Sequence, residues 1–412
     1  MARRESAAAG PGSRALIVDL IRSSGPISRV ELVNATGLTQ PTISNIVRRL
    51  IDDGVVRETG DTVATRGKPR AMLVINSRAA YGVGIHVGAD TLTCVVTDTR
   101  GGTVGRQLVA APADGRPESV AARLATLYHE VTHGLGLPPQ SVAGMAVVGP
   151  GPVDVTRGRF LALPGREGSV TRGAGLDLTH ALTGRLGVPV LVDSDAAAAT
   201  VGEFWGRQVS RERTFGCLYM NSGIGSGVVL DGALHRGASS NAGKLGHVPI
   251  VRDGEPCHCG SRGCLEQYAA PRVLVARARA VRGLTRRLRI RTEDDDARAF
   301  DVLARAAIYG DEQARALLDE SAAMLAEGAV LLANMWDIDT LVLAGPGFAV
   351  AGSIYVTEIR RRLAERAFAR DVHNVRVDLS SNPRDSAAIG GAALVLQGSV
   401  APGHGPELAA RV

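Results

Sequence analysis

His247 and three cysteines, Cys257, Cys259 and Cys264, fall within eighteen residues, and Glu266 follows two positions later. The stretch Ala242–Glu266 reads AGKLGHVPIVRDGEPCHCGSRGCLE and has no apolar period that would bury thiols in a core. Three of the chain's five cysteines sit in eight of its residues, which asks for a chemical reason. Tetrahedral zinc supplies one, because a closed Cys₃His site contributes folding free energy to a loop too short to have its own core. One residue separates Cys257 from Cys259, and four, including Gly260 and Gly263, separate Cys259 from Cys264, so tight turns can wrap one ion. A disulfide would strand a thiol, and nothing marks the chain as secreted; unrelated buried thiols are the other rival. His258 competes for the fourth position, but between two cysteines its ring geometry is awkward. The expectation is a structural Zn²⁺ held by His247, Cys257, Cys259 and Cys264.

Other polar groups stand where a cleft would use them. Asp193 and Asp195 end an apolar run and open a helix, where an aspartate either caps the helix or serves as a general base. Asn221–Gly227 joins two strands, and its glycines would let backbone N–H groups approach an anion, although a plain β-turn uses the same residues.

The elements that must carry these groups follow from periodicity. From Tyr81 onward β-rich runs alternate with Ala-rich helices. Three strands lie within residues 81–111, a helix over 117–132, a buried strand over 141–149 and another over 186–193, with a helix from Asp195. A second hairpin-led block starts near residue 214, continues through helices between 271 and 334, and ends in the strand Thr340–Ala344 before a glycine turn. Two such blocks form a two-lobed α/β body with a cleft.

Residues 1–78 read differently. Residues 1–75 carry eleven basic against seven acidic side chains, an excess of four out of the chain's net +6. Leu16, Ile17, Leu20 and Ile21 mark one amphipathic helix, and Ser28 with Glu31 forms a capping-box pattern that starts a second, ending near Gly37. Thr39 caps a third, with Ile43, Ile46, Val47, Leu50 and Ile51 on one face. Its other face presents Gln40, Thr42, Ser44, Asn45, Arg48 and Arg49, side chains suited to base edges and phosphates. Arg66, Lys68 and Arg70 precede a further strand. This is the pattern of a winged helix-turn-helix with a basic wing tip, and the expected contacts to double-stranded DNA are Thr39, the six residues of that polar face, and Arg66, Lys68 and Arg70. A protein-docking module would use the same residue types.

At 412 residues, 45% hydrophobic and 21% charged, the chain is long enough for two or three soluble domains. It has neither an apolar run of membrane-spanning length nor a signal-peptide pattern, so a cytoplasmic protein is expected.

From about Tyr81 to Gln397 the chain resembles the ROK family, which contains sugar kinases of the actin-like (ribonuclease-H-like) ATPase fold and sugar-responsive repressors with an added winged helix. Ala242–His247 with Cys257–Glu266 is similar to the family's zinc signature, Asp193–Ala196 to the segment holding the kinase's catalytic Asp, Asn221–Gly227 to its second phosphate loop, and Ala344–Gly347 to its adenosine-side turn. The resemblance implies sugar contacts at Ser194, Asp195, Lys244, His247 and Glu266, with Ser in place of the usual Asn and Lys in place of the usual Glu. Lys244 reverses a charge: either the effector is anionic, a sugar phosphate or sugar acid, or Lys244 pairs with Asp195 or Glu266. In the kinases the first strand leads through an Asp into Gly-Gly-Thr, where this chain has His86-Val87-Gly88-Ala89-Asp90. Losing that carboxylate and adding a negative charge removes much of what positions and neutralises transferring phosphate, so no catalytic residue is expected and Asp195 is a degenerate base position.

The expected organisation is a leader (1–12), a winged helix-turn-helix (13–78), a first lobe (79–200), a second lobe (201–398) with its zinc loop at 247–264, and a flexible tail (399–412). The expected function is a transcriptional repressor controlled by a sugar or sugar derivative, working as a homodimer or homotetramer on an inverted-repeat operator. The alternative is an ATP-dependent sugar kinase with an accessory N-terminal domain.

Overall fold

The computed structural model describes residues 11–63, 70–161 and 175–401. The expected leader and tail fall largely outside the described residues, and Arg66 and Lys68 wholly so.

The N-terminal head runs α1 (Pro11–Ser24), β1 (Ile27–Ser28), α2 (Arg29–Thr36), α3 (Gln40–Asp52), β2 (Val56–Val63) and β3 (Arg70–Ile75), its strands in the order β1-β3-β2. The capping box starts α2: Ser28 Oγ accepts from the Glu31 N–H, and the Glu31 carboxylate accepts from the Ser28 N–H at 2.8 Å. Gly37, at φ +69°, ends it. Thr39 caps α3 by accepting from the Thr42 N–H, and Ile43, Val47 and Leu50 are fully buried beneath it. The first helix departs from a one-sided reading. Ala15, Ile17, Val18 and Ile21 are buried, but so are Asp19 and Arg22, because α1 meets the head's core on one side and the body on the other.

The first lobe contains β4 (Tyr81–Val87), β5 (Thr91–Asp98), β6 (Thr103–Ala110), α4 (Pro117–Gly134), β7 (Val142–Gly149), the short pair β8 (Val153–Asp154) and β9 (Arg159–Phe160), α5 (Leu178–Leu186), β10 (Val190–Ser194) and α6 (Asp195–Gly206). Its sheet has the order β10-β7-β4-β5-β6, antiparallel from β4 to β6 and parallel from β4 to β10. The strand expected from Leu186 begins at Val190, because Leu186 closes α5 and Gly187, at φ +65°, turns the chain.

The second lobe repeats this plan with β11 (Phe215–Met220), β12 (Ile224–Leu230) and β13 (Ala233–Leu234), then α7 (Glu266–Ala269), α8 (Pro271–Ala280), α9 (Leu284–Leu288), α10 (Asp296–Ile308), α11 (Glu312–Trp336), β14 (Thr340–Ala344), α12 (Gly352–Arg366) and β15 (Arg376–Leu379). Its sheet order, β13-β12-β11-β14-β15, again joins an antiparallel hairpin to parallel strands. The last helix, α13 (Ser386–Val400), returns to the first lobe and packs on α6, β4 and β7. Thus α6 runs through the expected boundary at 200/201, wedged between α13 and the hairpin β11–β12. Its contact with α13 is backbone to backbone: a side chain at Gly390 would collide with the Ala198 carbonyl.

Candidate functional site

The cysteine loop is folded by its own backbone. Cys257 N–H donates to Ser261 O at 2.8 Å, Gly260 N–H to Cys257 O at 3.0 Å and Gly263 N–H to Glu255 O at 2.8 Å. Gly260 and Gly263 adopt φ of +93° and +72°, which a side chain would resist. The result brings one donor atom each from His247, Cys257, Cys259 and Cys264 within 4.8 Å of one another. Cys257 Sγ stands 3.6 Å from His247 Nδ1, and Cys259 Sγ stands 3.7 Å from Cys264 Sγ. Zinc bonds of about 2.3 Å to sulfur and about 2.0 Å to nitrogen put tetrahedral ligands roughly 3.5–3.8 Å apart, so both edges suit one ion. Burial and then the two neighbouring thiols push Cys264 up to about 12, and burial chiefly raises Cys257. A dication reverses that balance by binding thiolates. The other two cysteines, Cys94 and Cys217, are buried in the core.

His258 Nδ1 lies 3.3 Å from Glu266 Oε1 and 3.9 Å from Cys257 Sγ, so it stands between the carboxylate and the thiol cluster. Glu266 is almost fully buried, and Arg272 Nη2 donates to the same oxygen at 3.1 Å. His247 Nδ1 is 3.9 Å from it, while Oε2 faces the turn at Gly223. Arg272 was not among the expected site residues; its signal is position, six residues beyond the carboxylate across the α7–α8 junction.

Across β12 lies the other half of the set. Ser194 caps α6 by accepting from the Ala197 N–H at 3.3 Å, and Asp195 Oδ1 accepts from the Ala196 N–H at 2.8 Å. Asp195 Oδ2 stands 3.9 Å from His86 Nε2, a buried nitrogen without a hydrogen-bond partner. Asp193 is committed elsewhere: Oδ1 accepts from the Ser194 N–H and Oδ2 from Arg236 Nη1, both at 2.8 Å. Lys244 Nζ reaches across to the first lobe and donates to Gly151 O at 3.3 Å, and among the described residues it forms no ion pair with Asp195 or Glu266 within 4.0 Å. Burial lowers its ammonium below the usual lysine value, while Asp195 and Asp193 pull it back up. Asn241 reinforces this bridge with paired bonds to the Val153 backbone at 2.9 and 2.8 Å.

The Asn221–Gly227 run divides. Asn221–Gly223 forms the turn, with Asn221 N–H donating to Gly223 O, but Gly225 and Gly227 lie in β12 against Ala196 and Thr200 of α6. Their missing side chains admit the helix rather than an anion.

On the head, Thr39, Gln40, Asn45, Arg48 and Arg49 are exposed, and Thr42 and Ser44 are half-buried on the same side of α3. The Thr39 and Thr42 hydroxyls are 2.8 Å apart, so they share a bond at the helix start. Arg70 is exposed at the start of β3. A separate cavity of about 410 Å³ lies between α11, α12 and residues 367–375, and no expected site residue lines it. No helix of the described residues is long and apolar enough to cross a membrane.

A winged head on a duplicated α/β body, with carboxylates and a Cys₃His cluster gathered along one strand, defines a transcriptional regulator built on a sugar-kinase-like body. The chain belongs to the ROK family, which it matches over residues 82–398, and residues 15–57 match the winged helix-turn-helix DNA-binding family. It is 30% identical over 260 residues to the xylose repressor of Bacillus subtilis, covering 63% of this chain and 66% of that protein. With the xylose repressor of Caldicellulosiruptor bescii it shares 24% identity over 386 residues, 93% of this chain and 95% of the relative. The crystal structure of a ROK-family transcriptional regulator, a homologue of the Escherichia coli MLC protein, superposes with a TM-score of 0.72 at 24% identity, covering 95% of this chain and 97% of that one.

Proposed function

We propose that this chain is a sugar-responsive repressor that holds an inverted-repeat operator as a homodimer or homotetramer and releases it when a carbohydrate enters the cleft. One observation supports the reading: a winged helix-turn-helix head is joined to a ROK body in which Ala196 and Gly243 approach Gly225 of β12 and Glu266 approaches the turn at Gly223, while His86 lies near the end of β4 and Asp90 in the turn after it. Ser194, Asp195, Lys244, His247 and Glu266 contact the effector; structural zinc on His247, Cys257, Cys259 and Cys264 fixes the loop that presents His247 and Glu266. Lys244 selects an acidic carbohydrate, a sugar phosphate or sugar acid, because its ammonium faces the cleft junction with a carbonyl as its bonded partner rather than a carboxylate.

Thr39, Gln40, Thr42, Ser44, Asn45, Arg48, Arg49 and Arg70, together with Arg66 and Lys68, meet the DNA. Replacing Arg48 and Arg49 by Ala is expected to weaken binding to a selected duplex and to flatten its salt dependence by about two charges' worth of slope. Unchanged anisotropy titrations at two salt concentrations would remove α3 from the groove. The kinase reading is weaker; robust Mg²⁺-dependent ATP turnover with any common hexose would displace the repressor reading.

A further inference from the structure

We propose that Arg22 couples the carbohydrate cleft to the DNA-binding head, with α6 as the rod between them and Trp205 as its contact point, resting on the repressor reading above. The two ends of α6 do different things. At its N-terminus Ser194 and Asp195 belong to the cleft, the latter 3.9 Å from His86. Eleven residues on, roughly 16 Å along the axis, the helix ends against α1 of the head.

There Arg22, only 3% exposed, donates through Nη1 to Trp205 O at 3.1 Å and Phe204 O at 3.4 Å, and through Nη2 to Val209 O at 2.9 Å. Phe204 O and Trp205 O already accept from the Val209 and Gln208 N–H groups, and the guanidinium adds a charged donor at the negative end of the helix dipole. The same group sits 5.1 and 4.9 Å from the ring centres of Phe204 and Trp205. Asp19, three residues before it on α1, accepts from Arg22 Nη2 at 2.6 Å. Trp205 also reaches the linker between head and body: its indole N–H donates to Thr99 O at 3.1 Å, and the Thr99 hydroxyl is 3.0 Å from Ala80 O.

Two features allow this junction to switch. Against α13 the helix presents Ala198 and Gly202, and against β12 it meets Gly225 and Gly227, small contacts over which a helix shifts as a unit with little repacking. At the far end Asp19 Oδ2 is buried without a hydrogen-bond partner. That unmet acceptor raises the energy of the docked arrangement toward one in which water reaches it. A ligand that draws on Asp195 then biases the helix, and the helix biases the seat of α1. By linkage, DNA bound to the head must alter the cleft end of α6 in return.

Hydrogen exchange on the full-length chain tests this without an identified effector, with and without a duplex that the protein itself selects from a random-sequence pool. In the unmodified chain the duplex is expected to change exchange of the amides at 195–199 by roughly five-fold or more. In the double variant Asp19→Asn, Arg22→Met, which keeps side-chain bulk and removes both buried charges, the duplex still binds and the change falls below about two-fold. Trp205→Phe, which removes the indole N–H bond to Thr99 O and trims the buried ring that Arg22 faces, gives an intermediate response and serves if the double variant does not fold. An undiminished response in the double variant, or in Trp205→Phe when that variant alone folds, overturns the assignment, as does no response in the unmodified chain. A chain that selects no duplex at all sinks the repressor reading instead.

Discussion

The turn after β4 and the loop leading into α7 belong to opposite lobes, and different forces hold them. Residues 87–91 are fixed by backbone bonds to their own sheet, Gly88 N–H to Thr91 O at 2.9 Å and Ala111 N–H to Asp90 O at 2.8 Å, leaving Ala89 and Asp90 exposed. Residues 247–266 have turns of their own, but three thiols crowd one histidine at separations that an ion suits. The turn is held by backbone bonds that do not call on its side chains; the loop adds to its backbone turns a Cys₃His cluster spaced to suit an ion. The turn's backbone bonds are therefore indifferent to side-chain exchange at residues 89 and 90, whereas the loop's fit to an ion rests on its cysteines.

Removing the metal should break this comparison most severely. Cys264→Ser is expected to lower metal affinity by at least 10–100-fold, roughly the cost of a lost supporting partner, and either this variant or prolonged chelation is expected to open residues 247–264 to proteolysis while β4–β6 stay protected. Metal analysis with limited proteolysis checks both. Equal protection of the loop with and without metal would mean that its backbone turns suffice.

Lys244→Glu sharpens the carbohydrate side. Calorimetric titration with glucose 6-phosphate and gluconate against glucose and xylose should show acidic ligands lost by roughly 10–100-fold, the usual worth of a hydrogen bond to a charged group. The new carboxylate would face Asp193 and Asp195, so neutral sugars gain rather than lose relative affinity. Binding of neutral sugars alone in the unmodified chain would make Lys244 a strut from the second lobe to Gly151 and nothing more.

How much of this could be read from the chain depended on the range of each interaction. The gathering of His247, Cys257, Cys259 and Cys264 was legible because these residues and the turn glycines lie close in sequence and their types carry the chemistry. The capping box of α2 and the polar face of α3 were legible for the same reason. Arg22 was not, because the carbonyls it binds lie 182 to 187 residues away, and a lone Asp19–Arg22 pair on a helix ordinarily reads as a solvated surface. Arg236 escaped similarly, its partner Asp193 being 43 residues distant. Gly225 and Gly227 were visible as glycines, but their purpose was set by α6, which the loop pattern does not encode. The start of β10 was misplaced because Val188 and Val190 extend an apolar run into which α5 had already ended at Leu186.

On the phosphate side, restoring His86→Asp, Ala89→Gly and Asp90→Thr together tests whether side-chain exchange alone separates the two faces. Removing one negative charge where phosphates would lie, and supplying a carboxylate for Mg²⁺, should raise Mg²⁺–ATP affinity by about ten-fold over the unmodified chain. Equilibrium dialysis with labelled nucleotide measures it. No gain would place the obstacle in the closed junction made by Lys244, Asn241 and the Gly151–Val153 backbone rather than in the turn.

The smallest effect is expected at Arg272, and it bears on why the carbohydrate side is held from two directions. Glu266 Oε1 takes bonds from Arg272 and lies near His258 and His247, so the metal loop orients one flank of the carboxylate and α8 the other. Arg272→Ala removes the α8 flank and leaves the metal set intact. The buried carboxylate then loses its strongest counter-charge, at a cost of about 1–2 kcal/mol in stability, moderated because the arginine is partly open to water. Effector affinity should fall only a few-fold, since His258 and His247 still bracket the oxygen. If thermal melts and titrations instead show a loss as large as that of Cys264→Ser, the carboxylate is held chiefly by the helix, and the metal loop serves its own fold rather than the site.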